Sequence, residues 1–278
     1  MNDANRKSHW ENVYTTRGEN EVSWFQENPA PSLELIRLAR PAPDSAIVDI
    51  GGGASRLVDG LLGRGFHRLT VLDISHAALE AAKTRLGDRA SQVQWIVADI
   101  TQWDSTQSFD LWHDRAAFHF LTDPTDRSAY VARMKQAIKP GGHVIIGTFA
   151  ADGPEKCSGL PVNRYDAAGL ARELGEGLEL IESRRHDHST PWNSAQRFLF
   201  CVFRRTAQAI MPQLQSTITC PRCGHRSLET MPMDACQFFY DCNGCGARLK
   251  PKAGDCCVFC SYGSIPCPPI QAGDPPCA

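Results

Sequence analysis

Two Cys-x-x-Cys-Gly segments near the end of the chain have residue types that suit the binding of a metal ion. Cys220 and Cys223 form the first pair and Cys242 and Cys245 the second, with eighteen residues between the pairs. Four thiolates favour tetrahedral zinc, and this spacing is typical of a zinc ribbon. The glycine after each pair permits the tight turn that such a site needs. Because closed four-thiolate sites stabilise folds rather than catalyse reactions, we predict a structural zinc site here.

A second group of cysteines follows the two pairs. Ten of the twelve cysteines come after residue 215, and six of these ten lie outside the pairs: Cys236, Cys256, Cys257, Cys260, Cys267 and Cys277. In a reducing compartment such clustering indicates metal or redox chemistry rather than disulfides. We single out Cys256, Cys257, Cys260 and Cys267 as a possible second thiol cluster. It could bind a second zinc ion, capture a soft species such as mercury or arsenite, or cycle as a dithiol.

Earlier in the chain, a glycine-rich turn and three aspartates have the arrangement of a nucleoside pocket. The turn is Asp49-Ile50-Gly51-Gly52-Gly53, directly after a short apolar run. Asp73 ends the next apolar run, and Asp99 with Ile100 follows the third. Open α/β sheets bind ligands at the carboxyl ends of such strands. A carboxylate at position 73 can accept from both ribose hydroxyls, while Asp99 and Ile100 can hold and cover an adenine.

A nicotinamide dinucleotide is the rival ligand for this turn. Its fingerprint needs a third glycine three residues after the second, and Arg56 stands at that position. A dehydrogenase also needs a substrate domain, whereas the predicted sheet ends near residue 204 without one. We therefore reject the dinucleotide interpretation.

The elements that must position these residues alternate between apolar runs and amphipathic stretches. The first five predicted strands cover residues 46–50, 69–72, 93–97, 109–112 and 143–149. Repeated β-α-β units predict a Rossmann-like, mostly parallel sheet with helices on both faces. Two final strands at 178–181 and 197–203 have no clear helix between them and predict an antiparallel edge.

Helix boundaries are predicted by capping residues. Ser75 is expected to cap the helix that follows the second strand. Asp123, followed by proline, is expected to cap another, with an apolar stripe of Tyr130, Val131, Met134 and Ile138.

Composition and charge exclude several classes of protein. A net charge of −2 and a pI near 6.5 argue against a dedicated nucleic-acid binder. No apolar run approaches the ~18 residues of a membrane span, and the amino terminus lacks the apolar segment of a secretory signal, so we expect a cytoplasmic protein. We predict a Rossmann-like domain at 1–205, a polar linker at 206–217 and a cysteine-rich domain at 218–278.

The ordered segments of the first domain resemble those of class I S-adenosylmethionine-dependent methyltransferases. The resemblance rests on residues 49–55, Asp73, Asp99 with Ile100, and the Lys-Pro-Gly-Gly run at 139–142. It implies a seven-stranded sheet with S-adenosylmethionine bound over the first two strands. The residues implied to contact this cofactor are Asp49, Gly51, Gly52, Gly53, Asp73, Ile74, Asp99, Ile100 and His113.

The amino-terminal segment resembles that of small methyltransferases that include lysine methylators of citrate synthase and elongation factors. The similarity rests on residues 9–14 and 21–26. In those enzymes this segment folds over the cofactor, which implies that Trp10, Tyr14 and Trp24 line the pocket. Packing of the same aromatic residues within the amino-terminal helix is the alternative.

Residues 113–120, after the fourth predicted strand, border the transferred methyl group in the resembling fold. Here His119 is the candidate general base and Arg115 the candidate ligand for an anionic substrate. Their alternatives are a capping histidine and a surface ion pair. The segment lacks the Asn/Asp-Pro-Pro-aromatic run of enzymes that methylate the amino groups of adenine or glutamine, which argues against those substrates.

The run Gly-Asp-Cys-Cys-Val-Phe-Cys at 254–260 resembles the signature of a small domain family named after it, some of whose members are described as selenoproteins. The resemblance covers about residues 216–271 and brings no defined activity. Together these features lead first to a methyltransferase for a small acceptor, such as a thiol, selenium or metalloid species. The alternatives are a protein lysine methyltransferase that docks through its zinc ribbon, and a metal-binding or sensing protein on a methyltransferase scaffold.

Overall fold

A computed structural model describes residues 3–206, 212–233 and 235–271. The chain divides into two compact units, residues 1–207 and 208–278. The division falls within the predicted linker at 206–217, of which residues 207–211 lie outside the described residues, as does Cys277. Among the described residues, no helix is long and apolar enough to cross a membrane.

The first unit alternates strands and helices. Its strands are β1 (Ile47–Ile50), β2 (Leu69–Asp73), β3 (Val93–Val97), β4 (Phe109–Arg115), β5 (Ile138–Ala150), β6 (Lys156–Cys157), β7 (Leu160–Pro161), β8 (Arg164–Tyr165), β9 (Leu178–Ser189) and β10 (Ala195–Arg205). Its helices are α1 (Asp3–Thr16), α2 (Ala30–Ala39), α3 (Leu57–Leu62), α4 (His76–Leu86), α5 (Pro124–Ala137) and α6 (Ala167–Leu174).

One mixed sheet organises this unit, with strand order β3-β2-β1-β4-β5-β10-β9. The strands from β3 to β5 are parallel, whereas β10 is antiparallel to both β5 and β9. The mostly parallel Rossmann-like sheet and its antiparallel edge are therefore confirmed. The short strand β8 also pairs with β5, so the sheet has one strand more than the seven expected.

Apolar side chains on both faces of the sheet pack against the helices. Tyr130 and Met134 of α5 pack on one face with Val48 and Ile50 of β1. The opposite face carries α2, α3 and α4, which pack on Ile47 of β1. Alternate residues of a strand point to opposite faces, so this short strand supplies both cores and leaves its carboxyl end free for the following turn.

The predicted caps are confirmed. The Ser75 hydroxyl accepts from the Ala78 amide at the start of α4, and the Asp123 carboxylate accepts from the Thr125 amide at the start of α5. Ile138 was wrongly placed on the α5 stripe, because α5 ends at Ala137 and Ile138 is the first residue of β5. It is buried in either setting, so its apolar character did not distinguish them.

The second unit consists of short elements. They are β11 (Gln215–Thr219), β12 (Arg226–Thr230), β13 (Tyr240–Asp241), β14 (Arg248–Leu249), α7 (Val258–Tyr262) and α8 (Pro268–Gln271). β11 pairs with β12 and β13 with β14, each pair antiparallel. Each of the two Cys-x-x-Cys segments forms the turn of one hairpin.

Candidate active site and thiol clusters

A cavity that is partly open to solvent lies where strands β1, β2, β3 and β4 end. Eight of the residues predicted to act in the site line it: Trp10, Tyr14, Gly51, Asp73, Ile74, Asp99, Ile100 and Arg115. Trp24 lines it as well. Parallel strands bring their carboxyl ends to one edge of the sheet, which explains how segments from four parts of the chain meet there.

The glycine turn after β1 forms the floor of this cavity. Gly51 has φ +64°, and a Cβ there would lie 2.7 Å from the Ala117 Cβ. Gly53 has φ +43°, and a Cβ there would lie 2.8 Å from an oxygen of Asp73. Both positions therefore need glycine, for backbone conformation and for space. Gly52 and Gly53 are not among the residues that line the cavity but hold the turn against the Asp49 and Asp73 carboxylates.

Asp73 presents a buried carboxylate at the end of β2, where the wall of the cavity is formed. It is 6% exposed, and its Oδ1 accepts from the Ser75 amide at 2.8 Å. Burial raises the pKa of Asp73 to about 7, with smaller contributions from the nearby Asp49 and Glu11 carboxylates. An ionised carboxylate without a cationic partner is costly to bury, so this group is well suited to accept hydrogen bonds from a ligand.

Asp99, at the end of β3, is held from two sides. Its Oδ1 accepts from the amide and the hydroxyl of Thr101 at 2.8 and 2.7 Å. Its Oδ2 lies 3.1 Å from Nη2 of Arg6, whose Nη1 lies 2.5 Å from Asp126. Each carboxylate oxygen accepts more than one hydrogen bond, so Asp99 is oriented and retains capacity for a ligand amino group.

Helix α1 covers the cavity. The Glu11 carboxylate accepts from the Ser75 hydroxyl at 2.8 Å and from the Ala77 amide at 3.2 Å, at the amino end of α4. Trp10 packs edge-on against Trp24, and Trp24 Nε1 donates to the Tyr14 hydroxyl at 3.2 Å. Burial raises the pKa of Tyr14 well above its ordinary value, so its hydroxyl remains protonated.

Arg115, the last residue of β4, brings a cation to the cavity. Its Nη1 donates to the Trp24 carbonyl at 2.9 Å, and its guanidinium lies 5.3 Å from the centre of the Phe198 ring. Nε and Nη2 are buried and have no hydrogen-bond partner in the described part of the chain. Burial lowers the pKa of Arg115 to about 10, which leaves it charged at neutral pH. An anion is the natural ligand for these donors.

His113 and Asp49 lie behind the cavity rather than on its wall. His113 Nδ1 is 2.7 Å from Asp49 Oδ1, and its Nε2 is 2.9 Å from the Ser32 hydroxyl of α2. The two side chains are neighbours because Asp49 of β1 pairs with His113 of β4. Both are nearly fully buried, so they support the glycine turn and do not line the cavity themselves.

His119 does not line the cavity either. It is completely buried beside the rings of Phe120 and Phe149, and its Nδ1 accepts from the Phe149 amide at 3.3 Å. Burial, reinforced by Arg115, lowers the pKa of His119 to about 3. A base that weak and that enclosed is poorly placed to remove a proton from a substrate.

Comparison with known proteins bears on the segment that builds this cavity. Residues 47–142 match the sequence family of the methyltransferase domain. Nodulation protein S of Rhizobium tropici is 25% identical over 124 residues, which cover 45% of this chain and 51% of the relative. The chain spans about half the length of the curated nodulation proteins that it matches.

Solved structures share the fold of the first unit. The N-methyltransferase NodS from Bradyrhizobium japonicum WM9, in complex with S-adenosyl-L-homocysteine, matches with a TM-score of 0.55 and 22% identity over 74% of this chain and 100% of its own. Burkholderia thailandensis 1,6-didemethyltoxoflavin-N1-methyltransferase, with 1,6-didemethyltoxoflavin and S-adenosylhomocysteine bound, matches with a TM-score of 0.54 and 20% identity, over 74% and 87%. The first unit thus has the class I methyltransferase fold.

The residues that line the cavity without having been predicted as site residues include Arg6, Phe120 and Cys157. Cys157, in β6, is 4% exposed, and burial raises the pKa of its thiol to about 11. No spacing pattern marks an isolated cysteine or arginine, so only the folded chain brings them to the cavity. Phe120 stands one residue after the predicted base, and it, rather than His119, faces the cavity.

The first thiol cluster joins the turns of the two hairpins in the second unit. The sulfurs of Cys220, Cys223, Cys242 and Cys245 all lie within 4.8 Å of one another. The two turns are alike: the Gly224 amide donates to the Cys220 carbonyl at 2.9 Å, and the Gly246 amide to the Cys242 carbonyl at 2.8 Å. Gly224 and Gly246 have φ +74° and +69°, so the glycine of each segment adopts the left-handed conformation.

The second thiol cluster consists of Cys256, Cys257, Cys260 and Cys267. Their sulfurs also lie within 4.8 Å of one another. Cys256, Cys257 and Cys267 are buried, and Cys260 is half-buried. Cys236 belongs to neither cluster.

Proposed function

We propose that the protein is an S-adenosylmethionine-dependent methyltransferase that acts on a small-molecule acceptor. The observation that carries this proposal is the cavity at the ends of β1 to β4. There Gly51, Asp73 and Asp99 follow three neighbouring strands inside the segment that matches the methyltransferase domain. The bound S-adenosylhomocysteine in solved structures of the same fold supports the cofactor assignment.

The residues of the cavity fit this cofactor. The Asp73 carboxylate would accept from the ribose hydroxyls, because it is buried, is oriented by the Ser75 amide and has no cationic partner among the described residues. Asp99 and Ile100 would hold and cover the adenine, and the turn at Gly51 would allow close approach of the methionine portion. Trp10 and Tyr14 of α1 would close the site from above.

Bound S-adenosylmethionine supplies an electrophilic methyl group that an acceptor takes by in-line displacement. The contribution of the chain is therefore positioning and exclusion of water. α1, fixed to α4 by Glu11, covers the site. His119 is too enclosed and too weakly basic to serve as a general base, and an acceptor that arrives as a nucleophile does not need one.

Arg115 indicates the charge of the acceptor. Two buried donors of its guanidinium lack partners among the described residues and lie at the cavity. We assign them to an anionic group of the acceptor. A soft nucleophile such as a thiol, selenium or metalloid species does not need a general base. If it also carries a carboxylate, that group would pair with the Arg115 guanidinium.

Zinc is proposed for the first thiol cluster. A zinc–sulfur bond is about 2.3 Å long, so the sulfurs of a regular tetrahedron around zinc are about 3.8 Å apart. The Cys220–Cys245 and Cys223–Cys242 sulfur distances are 3.9 and 3.7 Å. The four thiols thus have the spacing of a tetrahedral zinc site, whose role would be to stabilise the fold.

Calorimetric titration with S-adenosylmethionine tests the cofactor site. We expect micromolar binding by the zinc-replete protein, binding about 100-fold weaker or worse for Asp73→Ala, and unchanged binding for Asp88→Ala, an exposed carboxylate on the same unit. Absence of binding by the intact protein would refute the methyltransferase and favour the metal-binding or sensing alternative.

A screen of acceptors tests the substrate class. Thiols with and without an attached carboxylate, together with selenide and arsenite, would be incubated with labelled cofactor. We expect methylated product from the anionic compounds, with a raised KM in Arg115→Gln and an unchanged affinity for the cofactor. Methylation of a protein lysine, and of none of these compounds, would support the alternative in which the zinc ribbon docks a protein substrate.

A further inference from the structure

We infer that Cys256, Cys257, Cys260 and Cys267 form a second tetrahedral metal site, which holds one zinc ion independently of the first cluster. This assignment concerns the second unit alone and does not depend on methyl transfer. It selects one of the three roles that the sequence leaves open for these cysteines, namely zinc binding over soft-metal capture and dithiol redox chemistry.

The sulfur positions are those of a compact four-ligand site. Cys256 Sγ lies 3.4 Å from both Cys260 Sγ and Cys267 Sγ, Cys257 Sγ lies 3.7 Å from Cys260 Sγ, and Cys260 Sγ lies 3.5 Å from Cys267 Sγ. These distances lie within about 0.4 Å of the ~3.8 Å edge of a zinc tetrahedron. They are far longer than the ~2.05 Å bond of a disulfide, and all four cysteines are free.

The composition of the core of the second unit also favours a second metal site. Five of its eleven buried members are cysteines drawn from both clusters, and its apolar members are Ile218, Met231, Tyr240, Leu249, Val258 and Phe259. Six such side chains are few for a unit of this size, which needs additional crosslinks to fold. Cys257 and Cys267 are 0% and 1% exposed. Since buried thiolates need a bound cation, a second zinc ion would offset two of the four negative charges and supply folding free energy.

The segment that carries the second cluster is anchored to the strand that leads into the first. The Ser264 amide donates to the Thr217 carbonyl, and the Ile265 amide to the Ser216 hydroxyl, each at 3.0 Å. β11 ends at Thr219, directly before Cys220. Cys267 is thereby placed from β11, while Cys256, Cys257 and Cys260 come from the start of α7. The two sites share one framework but no ligand.

Metal content of the full-length protein tests the assignment. The chain would be expressed with supplemental zinc and desalted. Its zinc and iron contents would be measured by elemental mass spectrometry and by native mass spectrometry of the protein. We expect two zinc ions per chain. One zinc ion in the wild-type protein, or iron in place of the second zinc, would overturn the inference.

Paired variants assign the two ions to their ligands. Cys256→Ser/Cys260→Ser and Cys223→Ser/Cys245→Ser should each retain one zinc ion, and Cys236→Ser should retain two. Cys260→His should also retain two, because imidazole is a zinc ligand and serine is not. Two zinc ions in Cys256→Ser/Cys260→Ser would show that the second ion lies elsewhere. The wild-type count stands by itself if a double variant fails to fold.

Discussion

The burial of Asp73 serves ligand binding at the expense of stability. Burial raises its pKa from the ordinary value near 3.8 to about 7. Between those values the folded protein binds a proton that the unfolded chain has released. The free energy of unfolding contributed by Asp73 is therefore greatest at low pH and falls as pH rises from about 4 to about 7.

Replacement by the neutral isostere should expose this conflict. We expect Asp73→Asn to bind S-adenosylmethionine far more weakly than the wild-type protein, and yet to be more stable without ligand at pH 8. About 1 kcal/mol of added stability would raise Tm by ~2–4 °C in a unit of this size. Scanning calorimetry at pH 8 and pH 5 measures the difference, which should shrink at pH 5. A variant that is less stable at pH 8 would contradict the pKa assigned to Asp73.

The residues of the site were predictable to different degrees. Asp73 and Asp99 could be placed because a strand end fixes where each carboxylate points. His113 could not, because the direction of its ring depends on its β1 neighbour Asp49 and on Ser32 of α2. Arg6 and Cys157 reach the cavity through tertiary packing alone, and no local sequence pattern predicts their position there.

At the scale of elements, charged and aromatic side chains hold α1 over the cavity. Its Glu11 carboxylate accepts from the Ser75 hydroxyl and the Ala77 amide, where α4 begins. A carboxylate at that end also interacts favourably with the helix dipole. Arg6 bridges the same helix to Asp99 and Asp126. The cover of the cavity thus rests on charged groups near its rim.

Removal of the Glu11 charge should loosen this cover. We expect Glu11→Gln to lose about 1 kcal/mol of docking free energy, which appears as faster hydrogen exchange in residues 3–16 and as a several-fold weaker affinity for S-adenosylmethionine. Glu80→Gln, a half-buried residue of α4 whose carboxylate pairs with Lys83 of the same helix, is the matched control and should change neither. Unaltered exchange in α1 would mean that the aromatic contacts of Trp10 and Tyr14 suffice to hold it.

Element boundaries show where sequence patterns lose their power. The mostly parallel sheet and its antiparallel edge followed from the alternation of apolar runs, because a crossover helix demands parallel neighbours and its absence permits antiparallel ones. Ile138 was assigned to the wrong element, because a buried apolar residue at the junction of α5 and β5 fits both. The two-residue strand β8 has too few residues to form a recognisable period.

At the scale of the whole molecule, different interactions stabilise each of the two units. Two large apolar cores on either side of a sheet stabilise the first unit, whereas thiol clusters occupy much of the core of the second. The cysteine spacing alone predicted the first cluster. The sequence did not determine how Cys267 would approach Cys256, because that approach requires the hydrogen bonds from residues 264 and 265 to β11.

Metal removal should therefore affect one unit only. We expect a strong chelator to abolish hydrogen-exchange protection in residues 212–233 and 235–271 and to leave the affinity for S-adenosylmethionine unchanged, because every residue that lines the cavity belongs to the first unit. A tenfold loss of cofactor affinity on chelation would contradict this independence. Activity on a small acceptor that persists without metal would limit the zinc sites to a structural role. Activity lost while cofactor binding persists would mean that the second unit presents the acceptor. Both the delivery of a soft nucleophile by the second unit and the docking of a protein substrate on it require this result.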